Sequence, residues 1–328
     1  MRPEVANSLI TALPERWLAV NCLIALLLVS AACASGARPP VAPRPVASEM
    51  ALSEMAYEAL NNRAGTIIVL DPRYGRVLKR VSRGTDVQFT SSPFEIAQIV
   101  TAYAALETGL ITDKTLLPCD ENGTGVDVTE ALSRNCPAFF TELSRKLTRA
   151  QFAKAAEVIG FTYYGIESPT FDRTLMRPVI ASIPERLTSE SFAALAVKGT
   201  GMEARDLHFA QMASSLASGA TSSERFAAYL MVNARAAAPK VYSFNRQALA
   251  IVQRGLVKAV DEGVAKAAAQ IDQKVAGRIG GGDGHALFIS YAPATDPQVA
   301  LVVYLNDAVG RDAAEVAGKF YQSWFSKK

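Results

Sequence analysis

Residues 89–109 read FTSSPFEIAQIVTAYAALETG, a polar entry into an apolar, alanine-rich run that stops at a glycine. Ser92, Pro93 and Glu95 stand at the entry. A serine at the mouth of a helix is a nucleophile when a base lies one turn along. It is a plain helix start when the residue three places on reaches back to it. S-P-F-E fits the second description as a capping box, with serine at N-cap, proline at the first helical position and glutamate returning to the serine N–H. These residues alone leave both readings open.

Upstream, Met50–Asn62 carries apolar residues at helical spacing, and Gly65–Val81 (GTIIVLDPRYGRVLKRV) reads as a hairpin turning at Asp71–Gly75. Downstream, Leu132–Thr148 (LSRNCPAFFTELSRKLT) and Arg149–Phe161 (RAQFAKAAEVIGF) read as helices, the second closed by Gly160. An irregular stretch runs through Arg186, and Leu207–Gly219 and Arg246–Gln273 are again helical in pattern. The β-branched runs Ala286–Tyr291 and Val299–Leu305, joined by Ala292–Pro297, predict a second hairpin, and Asp312–Phe325 a closing helix. Strands at both ends with helices between them predict an α+β fold, one mostly antiparallel sheet built from both termini with a helical region inserted.

The 328 residues carry 34 Lys+Arg against 31 Asp+Glu, and no basic cluster with interleaved aromatics, which excludes a nucleic-acid partner. Trp17–Ala32 is a short apolar run that suits a signal-peptide core better than a membrane span. Val29–Cys33 (VSAAC) resembles the bacterial lipobox, which makes Cys33 a candidate for lipidation; ordinary cleavage or a retained anchor are the alternatives. The chain divides into residues 1–33 as leader or anchor, a proline-rich spacer at 34–48, and a folded domain at 49–328. Export to the extracytoplasmic side of a membrane is expected. In an oxidising compartment Cys119 and Cys136 are candidates for a disulfide, with two buried thiols as the alternative.

Five stretches in order resemble the transpeptidase domain of penicillin-binding proteins, the acyl-serine family that includes the serine β-lactamases. GTIIVLDPRYGRVL is similar to its opening strands, and SSPFEIAQIVTAYAALETGLI to its G-S-T-F-K nucleophile helix. ALSRNCPAFFTELS is similar to A-L-x-x-S-C-N-x-x-F, and GTGMEARDLHFAQMASSLASGA to the G-x-G and T-P-L-Q-x-A segment. VAGRIGGGDGHALFISYAPATDPQVALVVYL is similar to V-A-G-K-T-G-T followed by H-x-W-F-x-G-Y-A-P. The resemblance covers Gly65 to Phe325 and implies the penicillin-binding fold, with an all-helical region across a cleft from the sheet.

In that family a serine attacks a D-Ala-D-Ala peptide or a β-lactam and a lysine one turn on takes its proton. Carried over, Ser92 falls on the nucleophile and Glu95 on the lysine. Asn135 and Pro137 fall on the serine and asparagine of the second motif, Arg278, Ile279 and Gly280 on K-T-G, and Gly281 on the oxyanion residue. A competing alignment reads Ser133-Arg134-Asn135 as S-x-N, two places out of step with the neighbouring landmarks. A glutamate starts near pKa 4.3 and needs desolvation to become a base. Pro137 holds nothing, Ile279 deletes a hydroxyl, and Arg278 keeps a charge able to grip a carboxylate. Glu95 and Arg278, of opposite sign where the family has two cations, could pair across the cleft and plug it, with two solvated side chains that never meet as the alternative.

His208 and His285 lack partners at metal-ligand spacing, so no metal and no cofactor is expected. GRIGGGDG lacks the ending of a phosphate loop and reads as a flexible hairpin entry, and Tyr163 and Tyr164 are candidates for a cleft wall. The expectation is a cell-envelope relative of penicillin-binding proteins with impaired acylation, taking a peptidoglycan stem peptide or β-lactam and acting by binding or scaffolding. The alternatives are a working D,D-peptidase that uses Ser92 and a structural partner of other envelope proteins.

Overall fold

The computed structural model describes residues 48–73, 75–86, 88–120, 122–161, 186–221, 224–226 and 241–326. Cys33, the rest of the leader, the spacer up to residue 47, and Tyr163 and Tyr164 lie outside the described residues. Among the described residues no helix is long and apolar enough to cross a membrane.

Helix α1 (Glu49–Leu60), capped by the Ser48 hydroxyl, leads into the hairpin of β1 (Gly65–Asp71) and β2 (Arg76–Arg83). At the other end β9 (Ala276–Gly282), β10 (His285–Ala292) and β11 (Val299–Asn306) precede α9 (Gly310–Ser326). The five strands form one antiparallel sheet in the order β2-β1-β11-β10-β9, so the chain ends meet where β1 pairs with β11. Alternation along β11 explains its unbroken apolar sequence. Leu301, Val303 and Leu305 pack with α1 and α9, whereas Ala300, Val302 and Tyr304 join the core under the central helices. A sheet covered on both faces has no polar side to show.

The central helices are α2 (Ala97–Glu107), α3 (Val128–Arg134), α4 (Pro137–Ser144), α5 (Arg149–Val158), α6 (Ser189–Lys198), α7 (Asp206–Ser218) and α8 (Arg246–Asp261). Short ladders join β3 (Thr90–Ser91) to β6 (Ala204–Arg205), β4 (Leu117–Pro118) to β5 (Gly125–Val126) and β7 (Glu224–Phe226) to β8 (Val241–Ser243). Every residue from Ala97 to Leu106 is buried, so α2 is an axle rather than a surface helix, and its alanines let neighbours approach closely.

Three expectations are corrected. Leu132–Thr148 is not one helix but the end of α3, then α4, because Asn135 turns left-handed at φ 60° and Cys136 is held extended before Pro137, the first residue of α4. Helix α8 stops at Asp261 instead of running to Gln273. The chain there crosses the end of α3 so closely that a Cβ on Gly263 would lie 2.3 Å from the Ser133 carbonyl, and the Val264 N–H donates to that same oxygen. The glycine-rich stretch GRIGGG is no flexible entry. It is most of β9, and the turn falls beyond it at Asp283–Gly284.

Candidate active site

Helix α6 ends at Lys198 with Gly199 left-handed. The last carbonyls of any helix lack partners within it. Here the α2 segment supplies them. Thr101 Oγ1 donates to Ala196 O at 2.7 Å and Gln98 Nε2 to Val197 O at 3.1 Å. Ser92 Oγ shares its proton between Gly199 O at 3.2 Å and Lys198 O at 3.4 Å. The family's nucleophile position is therefore the third member of a ladder that caps a helix. A carbonyl accepts a hydrogen bond but cannot remove the proton, so this contact does not activate the oxygen. Ser92→Ala is expected to cost roughly 0.5–1 kcal/mol of stability by taking the hydroxyl donor from Lys198 O and leaving Gly199 O with the Met202 N–H; a urea midpoint at or above the parent value would refute the capping assignment.

The capping box expected for Ser92 and Glu95 is not formed. Only a long 3.5 Å contact runs from the Phe94 N–H to Ser92 Oγ, and Glu95 turns away from the serine. Its Oε2 instead accepts the Gly281 N–H at 3.1 Å, on the outer edge of β9. Phe94 makes this possible by adopting φ 49°, a left-handed conformation that costs a side chain of its size on the order of 1–3 kcal/mol. Its ring lies on β9, where a Cβ on Gly282 would come within 2.9 Å of the ring and one on Gly280 within 3.1 Å of the Phe94 Cβ. Gly280 and Gly282 are thus the seat of Phe94.

Arg278 is fully buried. Its guanidinium donates to Leu132 O, to Gln98 Oε1 and, at 3.0 Å, to Asn135 Oδ1, which also accepts from Gln98 Nε2 at 3.0 Å. Burial pulls the Arg278 pKa down to about 10, while the charge of nearby Glu95 pushes it back up, so it stays cationic at neutral pH. The ion pair between the two is absent: each takes other partners and they sense one another only through space. Nor can this cation grip a substrate carboxylate as expected, since it has no exposed surface.

Within the second and third motifs the individual positions part company. Asn135 joins Gln98 and Arg278, whereas Ser133 sits beneath Gly263 on the α8 side, which disfavours the competing S-x-N alignment. Pro137 is exposed on the first turn of α4; its ring carries no donor or acceptor, and its carbonyl accepts the Thr141 hydroxyl within the helix. Ile279 points to the opposite face of β9 from Arg278, against Gly310 at the start of α9, so it is not a cleft residue. Cys119 and Cys136 form a disulfide, placing a covalent tie directly after Asn135. His208 accepts the Arg205 N–H at the start of α7, and His285 bonds the Tyr304 hydroxyl at 2.9 Å. Among the described residues no cluster of His, Cys, Asp and Glu could hold a metal ion.

Sequence reasoning missed Gln98, the hub between the first motif, Asn135 and Arg278. Its signal was available, since it is the one amide in an otherwise apolar helix face. Phe94 gave no signal, because a left-handed phenylalanine has no sequence mark.

No curated protein matches the chain. Solved structures do. The transpeptidase domain of Burkholderia pseudomallei penicillin-binding protein 3 matches with TM-score 0.69 at 17% identity, over 88% of this chain and 98% of that one. Pseudomonas aeruginosa PBP2, in complex with WCK 5153, matches with TM-score 0.70 at 20% identity, over 83% and 76%. PBPA from Mycobacterium tuberculosis matches with TM-score 0.66 at 17% identity, over 84% and 80%. These likenesses establish the fold. The model of the penicillin binding protein transpeptidase domain matches residues 65–323, which takes in both hairpins, the capping serine and the strand of Arg278, and the chain therefore belongs to that family.

Proposed function

We propose that this chain is a cell-envelope member of its family that has given up acylation and acts at peptidoglycan by binding or scaffolding. The observation that carries the reading is the fate of Ser92: its proton goes to two backbone carbonyls, and the residue at the lysine position is a glutamate bonded elsewhere. Lysine works as the base because burial and neighbouring cations lower its pKa toward neutrality. Glu95 directs its carboxylate to the Gly281 N–H and not to the serine hydroxyl, so no base is placed to receive the Ser92 proton. The only cation at a motif position, Arg278, is sealed among neutral acceptors and unable to hold a substrate carboxylate.

The proposed ligand is a peptidoglycan stem peptide, with other envelope proteins as partners. The N-terminal segment, as a lipidated Cys33 or an uncleaved anchor, would hold the domain on the extracytoplasmic face of the membrane. The test is a fluorescent penicillin incubated with the full chain and with Ser92→Ala, followed by denaturing electrophoresis and by sedimentation with purified peptidoglycan. No serine-dependent label, together with co-sedimentation, is the expected outcome. A label that survives denaturation and vanishes in Ser92→Ala would establish a working acyl-serine enzyme instead. Neither label nor co-sedimentation would leave the protein-partner reading as the one to pursue.

A further inference from the structure

The geometry points to Phe94 and Glu95 as a tethered ligand that fills this protein's own acyl-oxygen site, so that the site is occluded rather than dismantled. The inference rests on the carry-over that puts Gly281 at the family's oxyanion position and on the ligand class proposed above. Two observations on adjacent residues carry it. The Gly281 N–H stands on the outer edge of β9, where among the described residues no other strand pairs with it, and the Glu95 carboxylate occupies it at 3.1 Å. Phe94 meanwhile covers Gly280 and Gly282, the glycines that flank that N–H, and does so in a left-handed conformation.

These facts belong together physically. An unpaired N–H on a sheet edge is a ready hydrogen-bond donor, and one that accepts a carboxylate oxygen suits any other oxygen carrying negative charge. Glu95 is covalently close by, so it competes at high effective concentration against a ligand in solution. The strained backbone at Phe94 means that this seating is maintained by its contacts, the ring on β9 and the carboxylate on Gly281, rather than by local preference. Removing one contact weakens the other. The ligand class follows from the donor: a carbonyl or carboxylate oxygen of an extended acyl compound, for which a penicillin is a suitable probe.

The test measures non-covalent binding of a fluorescent penicillin by anisotropy, with Ser92→Ala as the parent so that acylation cannot enter. Glu95→Ala in that parent frees the N–H and is expected to tighten binding about tenfold or more, the worth of one charge-assisted hydrogen bond. Glu95→Gln keeps an oxygen able to accept from Gly281 and is expected to stay within a few-fold of the parent. Equal affinity of Glu95→Ala and parent overturns the proposal. So does equal tightening by Glu95→Gln, which would assign the effect to charge repulsion instead of occupancy. Should Glu95→Ala fail to fold, Glu95→Asp, one methylene short of the N–H, carries the same comparison. Whether the native chain is labelled through Ser92 is decided by the separate experiment above, so the two conclusions fail independently.

Discussion

Arg278→Ala is expected to lower the free energy of unfolding by about 2–4 kcal/mol. The arginine is the largest fully buried side chain among the described residues, and it spans from β9 to the end of α3 and to α2. Its removal opens a cavity and leaves Leu132 O and Gln98 Oε1 without donors in a dry interior. Against that stands the relief of a buried charge whose hydrogen-bond partners are all neutral, which reduces the net cost. Two further variants separate these effects. Arg278→Met refills most of the volume but satisfies no acceptor, and should cost about 1–2 kcal/mol. Arg278→Lys, which restores the family's own residue, brings three N–H donors to three acceptors and should cost about 1 kcal/mol or less. Urea unfolding at neutral pH checks the order. A methionine variant more stable than the parent would show that desolvation outweighs the hydrogen bonds, and would remove the strut from the account.

The same three motif positions that carry chemistry in the family here carry structure. Ser92 caps α6, Glu95 holds a sheet edge, and Arg278 binds the sheet to the central helices through Gln98 and Asn135. The polar atoms remain at the junction between sheet and helices, where burying them without partners would be expensive. Once the lysine is absent, the neighbours find one another. This is why the substitutions at motif positions form a connected set rather than a scatter of losses.

The fold was legible where one physical signal dominated. Unbroken apolar, β-branched runs at both ends gave β1, β10 and β11, and the alanine-rich run gave α2. Legibility failed where a local rule met a distant partner. S-P-F-E satisfies every local condition for a capping box, yet the Ser92 hydroxyl is taken by carbonyls more than a hundred residues along the chain, and Glu95 by an N–H still farther on. β9 was misread because its glycines have no strand propensity; Gly280 and Gly282 are there for the ring of Phe94, a contact that no spacing reveals. The break between α3 and α4 was the avoidable error, since a residue before proline is pushed out of helix by sterics that the sequence displays.

Opening the disulfide is the second large perturbation expected, and it reaches the same junction from outside. Cys119 and Cys136 are 17 residues apart, and closing a loop of that length is worth about 3 kcal/mol through the unfolded state. Entropy alone would spread that loss over the whole domain. The placement predicts something more local, because Cys136 directly follows Asn135, whose left-handed backbone aims Oδ1 at Gln98 and Arg278. The Cys119→Ser/Cys136→Ser variant should therefore lose hydrogen-exchange protection first at residues 131–137 and along β9, while α1, α9 and β1 keep theirs. A double-mutant cycle makes the point quantitative. If the disulfide acts partly by holding Asn135 for the arginine, its removal costs less in an Arg278→Met background, by roughly 0.5–1.5 kcal/mol of coupling. Strict additivity, with protection falling evenly across the sheet, would reduce the bridge to a loop constraint and leave Asn135 held by its own hydrogen bonds.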